Sequence, residues 1–290
     1  MRKLQLLALA LAILVSACGA KPPTTPTPPT PPVTPPANNL PVVDSITVQG
    51  SRSKQPASFA DLGETIAVTA NVHDDETAAD QLVYAWTASA GTFSGTGASV
   101  TWTAPSSAAT PADVTITLKV TEKYGTNQAF EHSVQATATL SLHDSGKEVG
   151  EMSRQFLLDF SDTNIKDADY IMRNFKAAAC PEPHEVQSER DDVIKNYTYY
   201  RMMNFRVDQP TVFVNFGVTW TLFRSKKGDA AAVVGVMWDS IDTRDNTRTP
   251  NAGTDIIEAA YSGADRRWWL CASDYNGRNL LTGAPFAWRR

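Results

Sequence analysis

Several absences narrow the chemistry before any motif is read. Positive charge is in deficit: 26 Lys and Arg stand against 31 Asp and Glu, a net charge of −5. That argues against a nucleic-acid partner, which requires a basic face. The basic clusters that do occur (Arg224, Lys226 and Lys227; Arg266 and Arg267; Arg289 and Arg290) read as solvated turns or chain ends. No Gly-x-Ser-x-Gly elbow, His-Glu-x-x-His pair or phosphate-cradling glycine loop occurs. Only four histidines are present, His73, His132, His143 and His184, and they are scattered. The three cysteines show no C-x-x-C spacing. No cofactor is implied. What remains is ordinary globular material: 42% hydrophobic and 20% charged residues suffice for a sizeable core.

The most informative stretch is at the start. Arg2 and Lys3 precede an apolar run, Leu4 to Val15, broken only by Gln5. The run is too short for a comfortable transmembrane helix and suits the core of a secretory signal. Val15-Ser16-Ala17-Cys18 directly behind it resembles the bacterial lipobox. The resemblance implies cleavage after residue 17, lipidation of Cys18, and attachment to a membrane through that lipid. Gly19, rather than Asp, suits outer-membrane sorting. An ordinary signal peptide with a chance cysteine is the alternative.

Residues 18–41 then form anchor and linker, with ten prolines from Pro22 to Pro41. Such a run buries nothing and stays extended; from Lys21 to Pro36 it reaches on the order of 50 Å. It reads as a stalk, with a proline-motif ligand as the sharper alternative. With Cys18 assigned to the anchor, Cys180 and Cys271 are left as one pair in an oxidising setting. A disulfide between them is expected; two buried free thiols are the rival.

Residues 42–145 have an all-β texture, with expected strands at 44–48, 65–72, 82–88, 99–104, 113–122 and 130–142. Ile66, Val68 and Ala70 alternate with Thr65, Ala67 and Thr69, and Val114, Ile116, Leu118 and Val120 repeat the period. Short alternating strands punctuated by Gly91, Gly95, Gly97 and Ala104-Pro105-Ser106 predict a two-sheet sandwich. Leu82-Val83-Tyr84-Ala85-Trp86-Thr87-Ala88, then Gly91-Thr92-Phe93-Ser94-Gly95, Val100-Thr101-Trp102-Thr103-Ala104-Pro105 and Val120-Thr121 resemble an Ig-like domain of the polycystic-kidney-disease (PKD) type. The resemblance implies a spacer or adhesive module with Trp86 as its core tryptophan. Glu122-Lys123-Tyr124-Gly125 departs from the family's pattern of Asp and Gly-rich turn residues. Asp74, Asp75, Glu76 and Asp80 crowd one loop, which is either a hydrated turn or a place where Asp74, Asp75 and Asp80 hold calcium.

Residues 146–290 change texture. Val149, Met152, Phe156 and Phe160 recur at helical spacing, and Asp167 is placed to cap a second helix that runs to Cys180-Pro181. Strands are expected at 197–207, 212–224, 231–241, 256–262 and 267–273. Helices followed by a meander of strands predict an α+β layout. With the Trp268-Trp269-Leu270-Cys271 ending, that order is similar to the nuclear-transport-factor-like cone, whose helices close over a curved antiparallel sheet. A cystatin-like sheet is the nearest rival. The fold class expected is therefore two domains: an Ig-like sandwich followed by α+β with helices packed on a curved antiparallel sheet.

The cone resemblance implies a pocket between sheet and helices. Tyr199, Asn215, Trp220, Trp238, Glu258 and Trp269 are its candidate lining, with core packing the competing use of the aromatics. The polar stretch Glu182, His184, Glu185, Glu189, Asp191 and Asp192 lies between prolines and strand and reads as an exposed loop, with acid–base or metal chemistry as the alternative. The functional expectation is a lipid-anchored envelope protein at the outer membrane, non-catalytic, whose C-terminal part binds a protein, a polysaccharide or a small molecule. A cone-fold hydrolase or isomerase is the rival, and a purely structural component the third. An enzyme would place paired acids or a His–carboxylate pair in the pocket, a binding head aromatics and amides, and a structural component an exposed apolar patch instead.

Overall fold

Strands carry the architecture, and their alternation explains how. The computed structural model describes residues 34–220 and 226–277. Contacts divide the chain into a unit ending at Pro36 and one beginning at Ala37, and the strands and helices described belong to the second. Cys18 lies outside the described residues, as do Arg224, Arg289 and Arg290.

Two four-stranded sheets come first. One has the order β1 (Val42–Gln49), β3 (Thr65–His73), β6 (Ser99–Thr103), β5 (Thr92–Ser94). The other has the order β2 (Phe59–Asp61), β8 (Phe130–His143), β7 (Ala112–Tyr124), β4 (Val83–Ala88). Every second residue of β3 is buried, Ile66, Val68, Ala70 and Val72, as a period of two with one face inward requires. Ala70 and Val72 meet Leu82, Leu118 and Val120 in one core cluster, and Ile66 and Val68 meet Val114, Ile116, Leu140 and Leu142 of the other sheet in another. The fully buried tryptophan of this core is Trp102, not Trp86. β6 lies inside its sheet whereas β4 is an edge strand, so Trp86 keeps part of its ring outside and donates Nε1–H to Gly97 O at 3.0 Å. Glu122, where the PKD pattern is broken, is buried and accepts hydrogen bonds from Thr77 Oγ1 and Asn38 Nδ2.

Helix α1 (Ser145–Ser161) follows β8 without a loop. Asp144 caps it by accepting from Lys147 N at 3.1 Å, while Asp144 N donates back to Glu148 at 3.1 Å, so two backbone donors at the helix start are satisfied. Val149, Phe156 and Leu157 form its buried face. Asp167 does cap a second helix, but α2 (Ala168–Ile171) lasts one turn and stops well short of Cys180. The expected loop at residues 182–192 is instead helix α3 (Pro183–Tyr199). Pro183 stands in its first turn, where the missing N–H is unneeded, so the prolines mark a helix start rather than an interruption. Tyr197 and Tyr199, expected in a strand, close this helix.

The last sheet contains β9 (Tyr200–Val207), β10 (Thr211–Trp220), β11 (Lys226–Asp242), β12 (Arg248–Ser262) and β13 (Arg267–Asn276). Its order is β10-β11-β12-β13. β9 and β10 do not neighbour each other. Both pair with the same edge of β11, β10 along Lys226–Val233 and β9 along Val236–Asp242. Pro210 lies in the break between them, where it has no N–H to give to the ladder. This interrupted edge belongs to a sheet curled into a half-barrel, over which α1 and α3 pack. Cys180 and Cys271 are disulfide-bonded, with Cα atoms 5.6 Å apart.

A knot of aromatic rings joins this sheet to the first two. Phe59 of β2 is fully buried, stacks on His143 at 4.9 Å, and meets the edges of Tyr261 (4.7 Å), Phe216 (5.3 Å) and Trp268 (6.2 Å). The Arg52 guanidinium covers Phe59 and Phe216 while pairing with Asp61 and Glu64. Asp61 accepts both the N–H and the hydroxyl of Ser145, and Trp268 Nε1 donates to Ser145 Oγ at 3.1 Å.

Candidate functional site

A cavity with a volume of about 520 Å³ lies where α1 and α3 cross the half-barrel. Its apolar wall is built by α1, whose 3.6-residue period turns Phe156, Leu157 and Phe160 to the sheet, and by Trp238 of β11 and Tyr275 of β13. Trp238 and Tyr275 meet edge to face, centroids 4.9 Å apart and planes at 67°. Asn196, Asn251 and Ser240 supply neutral polar groups. A second recess of about 300 Å³ shares Phe160, Asn196, Tyr200 and Met202 with the first.

The distinctive feature is a group of carboxylates in the lining. On α3, Val186, Glu189 and Val193 follow i, i+3, i+7 spacing, so Glu189 rides on the face whose valines pack into the core. Its carboxylate accepts the backbone N–H of Ser273 at 2.9 Å. Asp255 of β12, nearly fully buried, accepts the hydroxyl hydrogen bond of the same Ser273 at 2.7 Å. Asp274 also lines the cavity, and Asp192 and Lys195 stand exposed at its rim.

Burial, then the neighbouring carboxylate of Asp274, pushes Asp255 up to about 6, with the Ser273 hydroxyl pulling the other way. Burial raises Glu189 well above the usual carboxylate range, reinforced by the charges of Asp255, Asp192 and Asp274. The protein thus holds two acids that keep protons unusually long, side by side on one serine, facing a cavity with an aromatic wall. Such a pair can take up or give up a proton, or receive a positive charge.

Of the residues proposed from sequence, Trp238 lines this cavity. The Trp220 side chain lies outside the described residues. Tyr199 is exposed at the end of α3 beneath the Arg244 guanidinium, Asn215 is exposed on β10, and neither faces the cavity. Glu258 is buried on β12, but strand alternation turns it to the face opposite Asp255. Trp269 donates to Asp265 at 2.9 Å and is covered by Arg267, away from the cavity. Glu189 and Asp192 of the polar stretch do reach the cavity, while His184 and Asp191 remain exposed on α3.

The acidic turn near residue 75 is not gathered about a centre. Asp74 accepts from Glu76 N and Thr77 N, Asp75 and Glu76 accept from Asn39, and Asp80 lies exposed. Among the described residues, no three His, Cys, Asp or Glu side chains are arranged to hold a metal ion. Asp255, Ser273 and Asp274 were missed from sequence. Asp255 and Asp274 lie just outside the strands expected at 256–262 and 267–273, and the longer strands β12 and β13 bring them in.

Comparison of the chain with models of protein families and with curated proteins finds no match to either.

Proposed function

We propose that this is a lipid-anchored protein of the bacterial outer membrane that binds a small molecule in the cavity between α1, α3 and the half-barrel. The carrying observation is the cavity itself: about 520 Å³, a size suited to a small ligand, with an aromatic wall and a few convergent polar groups. The two facing sheets fit a PKD-like spacer of residues 42–145, and the curled sheet under α1 and α3 fits a cone-like head of residues 146–290. The lipobox-like Val15-Ser16-Ala17-Cys18 supports the anchor, and the disulfide suits an exported chain. Two acyl chains or more make such an anchor stable.

A library screened by thermal shift against the whole mature chain tests the binding reading. Genuine hits lose their shift in Ser240→Trp, which fills the cavity. A screen whose hits all survive that substitution overturns it. Mass spectrometry of the mature protein tests the address, with an acylated Cys18 expected and an unmodified terminus refuting it.

One observation favours a catalytic reading: Glu189 and Asp255 share Ser273 inside the cavity. Paired acids with raised proton affinity suit general acid–base work. Chemical change of a cavity-bound hit, abolished by Glu189→Gln, decides for catalysis.

A further inference from the structure

We infer that the cavity takes an organic cation, an ammonium or amidinium head on a flat apolar body, with the head between Glu189 and Asp255 and the body against Trp238 and Tyr275. The inference rests on the binding reading above and adds the charge and shape of the ligand. Charge balance comes first. The titratable groups that face the cavity are Glu189, Asp192 and Lys195 from α3, Tyr200 from β9, Asp255 from β12, and Asp274 and Tyr275 from β13. α1 contributes none, and neither does β11. Four acids against one base line the cavity, and the base stands exposed at the rim. An anion pushes these acids further toward their protonated forms, and a neutral guest does nothing to favour their ionisation. A cation favours the ionised carboxylates, offsets their mutual repulsion and stands in for the water that burial removes.

The kind of cation follows from the walls. Hard metal ions need a shell of several oxygens, and no such grouping of acids exists among the described residues. The space is far larger than an ion, and Phe156, Phe160, Trp238 and Tyr275 also line it, Tyr275 directly across the ladder from Asp255. Aromatic faces attract organic cations and bury the apolar body behind the charged head. Because burial raises the proton affinity of both acids, uptake of the cation is coupled to proton release.

Isothermal titration of the whole purified chain with benzylammonium, benzyl alcohol and benzoate tests this. These probes share one ring and differ in charge, and benzylammonium keeps its charge throughout the pH range used. The expected result is that benzylammonium binds about tenfold or more tighter than benzyl alcohol, a difference of about 1.4 kcal/mol, and that benzoate does not bind. Its affinity should fall about tenfold from pH 7.5 to pH 5, and by a similar factor in the isosteric Asp255→Asn and Glu189→Gln variants at pH 7.5. Circular dichroism of both variants shows whether they fold. Benzyl alcohol binding as tightly as the cation overturns the inference while leaving the cavity a binding site. Absence of benzylammonium binding overturns it too, and then the library hits lost in Ser240→Trp judge the cavity separately. Cation binding that persists in Ser240→Trp lies elsewhere and also overturns it.

Discussion

The aromatic knot around Phe59 makes a demand that can be measured. Phe59 sits on a three-residue strand of the first half of the chain, yet its ring is buried among Phe216, Tyr261 and Trp268 of the half-barrel. Phe59→Ala removes a fully buried aromatic side chain and leaves a cavity walled by rings that cannot collapse freely. Transfer and cavity terms together cost about 3–5 kcal/mol at such sites. For a chain of this size, a midpoint falls by about 2–4 °C per kcal/mol, so a loss on the order of 10 °C is expected. Phe59→Leu, which keeps most of the volume, should cost less than about 1.5 kcal/mol. Urea denaturation followed by tryptophan fluorescence gives the magnitude. Hydrogen exchange gives the extent: amides of both β7 and β12 should lose protection, because the ring is shared by both halves. A cost below about 1 kcal/mol, or exchange confined to β7 and β8, refutes the reasoning.

Two further outcomes follow from particular groups. The disulfide closes a separation of 91 residues, so the double variant Cys180→Ser, Cys271→Ser should lose about 4–5 kcal/mol on the chain-entropy model. Equal urea midpoints with and without reductant would refute that, and non-reducing peptide maps should join the two cysteines. Asp255 titrates at about 6 when folded against an ordinary 3.8, so its folded form binds the extra proton. The stability it contributes is full below about pH 4 and lost as pH rises through 6, a cost of about 3 kcal/mol at pH 7.5. Asp255→Asn should therefore gain on the wild type between pH 4 and pH 7.5 in urea titrations; a difference that does not change with pH counts against it.

Residue order alone determined the local features. The period of two in β3 and β7, the apolar face of α1 and the cap at Asp167 each depend on neighbours a few positions away, and each is found. The lone cysteine pair likewise left one natural partner for each sulfur. Where local signs were mixed, the reading went astray. Pro181 and Pro183 within a charged stretch look like a loop, and only the burial of Val193 against the sheet shows that the helix they start is held by packing rather than propensity. The two strands flanking Pro210 look like sequential partners, but the length of β11 lets both lie on one edge. The carboxylate pair was illegible for a stronger reason. Glu189, Asp255 and Ser273 come from a helix and two strands, and no spacing in the sequence relates them. Their meeting, and the proton affinity that burial and mutual charge confer, exist only once α3 is laid across the curled sheet.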